Sequence, residues 1–238
     1  MITLNSLSAF GDFYMNLSPN IKSSILITII LIIVILIVNR KLKNHDATKA
    51  PTGILLIAEM LVDMINNFTK DIMGKSWKKY AAYILTLAMF LFFANISGLL
   101  GLYPPTANVA ITVSLGLITF AMIQYSGFKN NGFKNYMKSL ADPSPLMLPL
   151  NIVGEIVIPF SLGFRLFGNI MSGSVLLALI YGMFEALQIG LVAPLVTPIF
   201  HAVFDIFFGL IQTVVFIILT MVFISSKMPE EEIFNEEK

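Results

Sequence analysis

Arg165 lies inside the run LPLNIVGEIVIPFSLGFRLFGNIMSGSVLLALI, residues 148–180, with apolar residues on both sides. If that run crosses a bilayer, the guanidinium stays ionised at a depth where insertion costs at least ~2.5 to 3.5 kcal/mol. Polar residues recur around it at helical intervals. Arg165, Asn169 and Ser172 are separated by steps of four and three and share one helix face, and Asn151 and Glu155 form a similar pair two or three turns earlier. Further along, His201, Asp205 and Gln212 are spaced four and seven apart. Polar stripes on two apolar segments describe a water-accessible path, or a pair of partial paths. Asp and Glu exchange protons where their surroundings raise their pKa values, or help to bind a dehydrated cation. Arginine does neither and acts through its fixed charge. A path holding a permanent positive charge excludes simple cation leakage unless a mobile negative group arrives from outside the chain to pair with it.

Plainer roles compete at each position. Arg165 in a salt bridge with Glu155 or Asp205 would simply hold helices together. His201 near Pro198 also fits an interfacial histidine, and Asn169 and Gln212 also fit interhelical hydrogen-bond partners. The glycines at 163, 168 and 173 point to close packing, and Glu185 and Gln188 fit a solvated turn.

The elements that must hold these residues follow from composition. The chain has 238 residues, 57% of them hydrophobic and only 12% charged, with a mean hydropathy of +0.84. That is too apolar for an ordinary soluble domain and predicts an all-α integral membrane protein forming a single membrane domain. Residues 21–39 supply a first span, nearly unbroken Ile, Leu and Val from Ile25 to Val38, and in lipid a helix rather than an open strand satisfies its backbone. The segment has no basic head before it and no small-residue cleavage site after it, so it does not read as a secretory signal. Residues 51–71 place Leu56, Ile57, Met60, Leu61 and Ile65 against Glu59, Asp63, Asn66 and Asn67, which predicts an amphipathic helix at the interface; a span with a buried polar face is the alternative. Residues 80–102 and 109–125 form a hairpin of spans around Pro104-Pro105. Residues 143–181 and 192–226 are too long for upright spans, the first reaching ~55 Å as one helix, so tilt or a bend near Pro159 is expected. Residues 227–238 form an acidic tail.

The prediction is therefore five transmembrane helices plus one interfacial helix. Basic residues follow the first span (Arg40, Lys41, Lys43), precede the second (Lys75, Lys78, Lys79) and follow the third (Lys129, Lys134, Lys138). The positive-inside rule then places the N-terminus outside and the C-terminus in the cytoplasm.

Soluble-enzyme chemistry finds no footing. There is no Walker-type phosphate loop, no GxGxxG after a strand, no GxSxG elbow and no HExxH. With no cysteine and two histidines, no cofactor or metal centre is expected. Basic residues border the spans rather than forming aromatic-interleaved patches, so no nucleic-acid partner is expected.

The run Ser161-Leu162-Gly163-Phe164-Arg165-Leu166-Phe167-Gly168-Asn169, ending in Gly173, resembles the arginine signature of the membrane a subunits of F-type ATP synthases. Gln212-Thr213-Val214-Val215-Phe216-Ile217-Ile218-Leu219-Thr220 resembles that family's second signature, and the likeness covers nearly the whole chain. The resemblance implies an ion-translocating stator in the cell inner (plasma) membrane, working against a rotating ring of c subunits. Arg165 would match the arginine that faces the ring carboxylate and separates two offset half-channels, Asn169 the asparagine of the first motif, and Gln212 the glutamine of the last helix. It further implies contact with a b-type peripheral stalk through the first span and surface helix, indirect contact with the remaining ATP synthase subunits, and no nucleotide on this chain. Some relatives carry glutamate where this chain has Ser174, histidine where it has Asp205, and glutamate where it has Asn151, one turn from Glu155. Asp205 and Glu155 are accordingly the preferred acids, and both protons and sodium remain open as the coupling ion. A freestanding transporter and a structural scaffold are the competing functions; no second copy of the long-helix pattern favours the former.

Overall fold

The computed structural model describes residues 16–45, 50–142, 144–188 and 193–228. The expected acidic tail from 229, the first 15 residues, and the outermost residues of the two expected long helices, Pro143 and Val192, lie outside them. Every regular element among the described residues is helical, and five helical stretches are long and apolar enough to cross a membrane: Pro19–Lys43, Ile54–Leu100, Val109–Asn131, Pro145–Ala186 and Pro194–Ser225.

Helix α1 (Pro19–Lys43) begins with proline at its first position, where the missing N–H costs no bond, and ends in Arg40, Lys41 and Lys43, cations suited both to the helix dipole and to a lipid headgroup boundary. Asn20 donates from Nδ2 to the Pro104 carbonyl at 2.8 Å, tying its start to the hairpin turn. Helix α2 (Ile54–Met73) is bounded by Gly53 and Gly74, both at positive φ. A single 3-10 turn, Gly74–Ser76, then leads into α3 (Trp77–Ile96), so the apolar helical run continues to Leu100. Asn108 caps α4 (Val109–Asn131) by accepting from the Ala110 N–H at 2.9 Å. α4 runs six residues past the expected Tyr125, and a short helix, α5 (Phe133–Leu140), follows Gly132 where only the basic residues Lys134 and Lys138 were noted above.

Helix α6 (Leu148–Ala186) is one element of 39 residues, about 58 Å long, with Pro159 inside it. Gln188, at φ 57°, closes the turn after it. The last long segment is divided: α7 (Ala193–His201), a π turn over Ala202–Phe207, and α8 (Phe208–Ser225).

The buried core joins α2, α3, α4, α6 and α8 through Met73, Ile84, Leu91, Ile123, Leu166 and Phe216. Without a strong hydrophobic drive between helices in lipid, close approach of backbones does the holding, and α4 and α6 cross where both lack a side chain. A Cβ on Gly116 would stand 2.2 Å from the Pro159 carbonyl oxygen, and one on Gly163 would stand 2.9 Å from the Val113 Cα. Backbone cannot yield as a flexible side chain does. Gly116→Ala should therefore lower stability by about 1–3 kcal/mol, read as earlier loss of helicity on titrating the micellar protein with denaturing detergent.

Candidate functional site

Packing at Gly163 decides which way Arg165 points. Pro159, Leu162, Gly163 and Leu166 are buried at i, i+3, i+4 and i+7, which fixes one stripe of α6 against its neighbours. Arg165 falls outside that stripe and is exposed, as are Phe164 and Gly168 on either side. The same outer face continues as a shallow groove in which small Gly168 and Ser172 lie among Met171, Val175 and Leu179. On the last segment Ile206, Phe207, Leu210 and Ile211 are also exposed.

Neither acid considered for Arg165 is paired with it. Glu155 pairs with Lys227, and Asp205 with His201; among the described residues Arg165 has no counter-ion. The internal salt bridge that the sequence left open is absent because α6 turns Glu155 towards α4 and α5, while Asp205 lies against the turn after α3.

Asp205 sits within the π turn. His201 Nδ1 is 2.7 Å from its Oδ2, the Tyr181 hydroxyl lies 3.4 Å from His201 Nε2, and a Cβ on Gly98 would meet the same carboxylate oxygen at 3.5 Å. A hydroxyl, an imidazole and a carboxylate from two helices are thus in line, each able to pass or hold a proton. Turns of π type recur at functional sites, and this one adds a residue to the turn, rotating the helix beyond it by about 100° relative to an unbroken α-helix. The stripe expected from His201 through Asp205 to Gln212 is therefore divided. Gln212 is buried, and among the described residues its Nε2 has no hydrogen-bond partner.

Just beyond the π turn, Asn95 of α3 grips the start of α8. Its Nδ2 donates to the Gly209 carbonyl and to Thr213 Oγ1, both at 3.1 Å, and its Oδ1 accepts from Thr106 Oγ1 at 3.0 Å. Gly209 is what lets the helices meet, since a Cβ there would lie 3.0 Å from that of Asn95.

Asn169 reaches the Phe208 carbonyl from Nδ2 at 3.5 Å, linking α6 to α8. Ser174 is exposed and donates to the Ile170 carbonyl of its own helix at 2.9 Å, and Ser172 bonds likewise to Gly168. A Cβ on Gly173 would stand 3.5 Å from the Phe204 ring. Asn151 donates to the Leu140 carbonyl at 2.8 Å, fastening α6 to α5. Glu155 is the centre of a separate cluster: Lys227 Nζ donates to Oε1, Gln124 Nε2 to Oε2 at 2.9 Å, and the Tyr136 hydroxyl to Gln124 Oε1 at 2.7 Å. Burial pushes the Tyr136 phenol above its ordinary pKa, against the opposing pull of the Lys227 ammonium. Among the described residues no three His, Asp or Glu side chains gather to hold a metal.

Sequence reasoning missed Asn95, Tyr181, Gln124, Tyr136 and Lys227. Asn95 carried a readable signal, a carboxamide in the apolar run LFFANISGLL; Lys227 carried none, because it opens the expected acidic tail.

A profile of the ATP synthase A chain family matches residues 21–225. The chain belongs to that family. ATP synthase subunit a of Anoxybacillus flavithermus is 33% identical over 228 residues, covering 92% of this chain and 96% of the relative. Subunit a of Bacillus pumilus is 34% identical over 236 residues, with 92% and 96% coverage. The sodium ion specific subunit a of Propionigenium modestum is 34% identical over 194 residues, covering 75% of this chain and 64% of its own length. As a member of the ATP synthase A chain family, the chain is a multi-pass membrane protein whose general role is that of the ion-translocating stator subunit.

Proposed function

We propose that this chain moves ions across the membrane through two offset half-channels that it forms with a rotating ring of c subunits, Arg165 standing between them. The observation that carries this reading is an exposed guanidinium on the bare face of α6 with no counter-ion among the described residues, while Glu155 is engaged by Lys227 and Asp205 by His201. A fixed cation at bilayer depth needs an anion, and a moving ring carboxylate supplies one transiently. An ion enters one half-channel, neutralises a ring carboxylate and travels with it through lipid; it leaves when that carboxylate meets Arg165 again. Asp205, with His201 and Tyr181, serves as the exchanging acid of one half-channel. Asn169 and Gln212 line the crossing between α6 and α8, with Ser174 beside them.

The ring docks on the outer faces of α6 and α8, whose small and apolar residues allow a close, low-friction contact. α1 and the interfacial α2, with Ile33, Leu36, Ile57 and Met60 exposed, face the b-type stalk. Both termini follow the basic-residue rule, N-terminus outside and C-terminus in the cytoplasm.

The test is ATP-driven transport by the whole complex in sealed vesicles, with pH and sodium varied independently. Transport that requires the ring supports the reading, and solute uptake by the isolated chain overturns it. Similarity to a sodium ion specific relative makes sodium a specific second reading for the ion. Pumping that needs sodium and resists protonophores selects it; pumping that collapses with protonophores selects protons.

A further inference from the structure

The Glu155 cluster stands apart from the bare faces of α6 and α8. Glu155 lies on the α6 stripe that packs inward, ten residues before Arg165 and turned from it by about 80° at 3.6 residues per turn. Both of its oxygens are taken, one by Lys227 and one by Gln124, and the side chains of Glu155 and Lys227 are only 15% and 17% exposed. Lys227 is itself fixed, its ammonium 5.5 Å from the centre of the Tyr136 ring and its carbonyl accepting from Asn131 Nδ2 at 2.8 Å. α4, α5, α6 and the end of α8 all meet at this point.

We propose that Lys227 is a positioning residue whose ion pair holds Glu155 as a fixed counter-charge clamping the last helix, so that Glu155 takes no part in carrying the ion. This refines the rotary reading above and rests on it, leaving Asp205 as the exchanging acid. The physical reason is compensation. Both carboxylate oxygens are already occupied, and the adjacent ammonium cancels the field that would draw in a cation. The titratable groups facing Glu155 are Lys227 from the end of α8 and Tyr136 from α5; Gln124 from α4 is neutral. Once Lys227 is removed, Glu155 keeps only the Gln124 hydrogen bond and is a largely buried charge without its counter-ion.

The experiment is ATP-driven pumping by the whole complex, using Glu155→Gln, Lys227→Met, the double variant and Lys227→Arg. Each of the first two leaves one largely buried charge unpaired and should pump about tenfold more slowly than the parent. The double variant leaves neither and should pump within about threefold of the parent, as should Lys227→Arg, which keeps the pair. If the single variants fail to assemble, recovery of assembly and pumping in the double variant supports the proposal and continued failure overturns it. Abolished pumping in the double variant, or losses in it equal to those of Lys227→Met, would each overturn it as well. Arg165→Ala runs alongside: coupled pumping that survives it sinks the rotary reading itself, independently of the Glu155 variants.

Discussion

Arg165→Ala should abolish ATP-driven ion transport while leaving the complex assembled. The side chain is exposed and forms no salt bridge among the described residues, so its loss removes a charge and little else from the fold. What disappears is attraction for the incoming ring carboxylate. At an effective dielectric of 20 and a separation near 4 Å that attraction is about 4 kcal/mol, roughly three powers of ten in occupancy. The barrier separating the two half-channels vanishes with it, so passive ion leak through the membrane sector should rise as coupled transport falls. Arg165→Lys retains the charge but not the planar fork, and should recover only part of the transport. Full coupled flux in Arg165→Ala would reduce this residue to a scaffold element.

Asp205→Asn should come next in effect, with coupled flux reduced about 10- to 100-fold and assembly intact. Asparagine nearly preserves the shape of aspartate and can still hydrogen-bond His201, so the packing against Gly98 survives. It cannot take up and release a proton, nor offer a charged oxygen to a cation. Asp205→Glu restores the charge at a slightly different reach and should recover part of the flux. The measurement is pumping in sealed vesicles over a broad range of pH and sodium; a rate unchanged throughout that range removes Asp205 from the mechanism.

The legible part of this molecule was the part governed by composition and period. Long Ile, Leu and Val runs have only one way to satisfy their backbone in lipid, so the five apolar helices were readable directly, as was the brevity of the turn at Pro104-Pro105. The SLGFRLFGN run around Arg165 was equally readable, because an arginine among apolar residues is costly enough to stand out. Helix ends were less so. α4 passes Tyr125 and α5 forms beyond Gly132 because Tyr136 finds a buried place against Phe128 and Gly127, a tertiary fact without a local signal.

Side-chain pairing was beyond reach of the sequence altogether. Glu155, Asp205 and Arg165 present two acids and one base, and spacing alone permits either acid to neutralise the arginine. The fold selects otherwise: a glycine crossing at Gly116 and Gly163 sets the rotation of α6, a π turn sets the rotation at Asp205, and a lysine beyond the last helix returns to Glu155. The sequence by itself determined that the chain is helical, lies in a membrane and carries an arginine there, since these follow from the solvation of individual groups. Only the tertiary structure decided that neither Glu155 nor Asp205 pairs with the arginine, because helix rotation depends on which backbones can touch, and that is a property of pairs of helices rather than of any one stretch of chain.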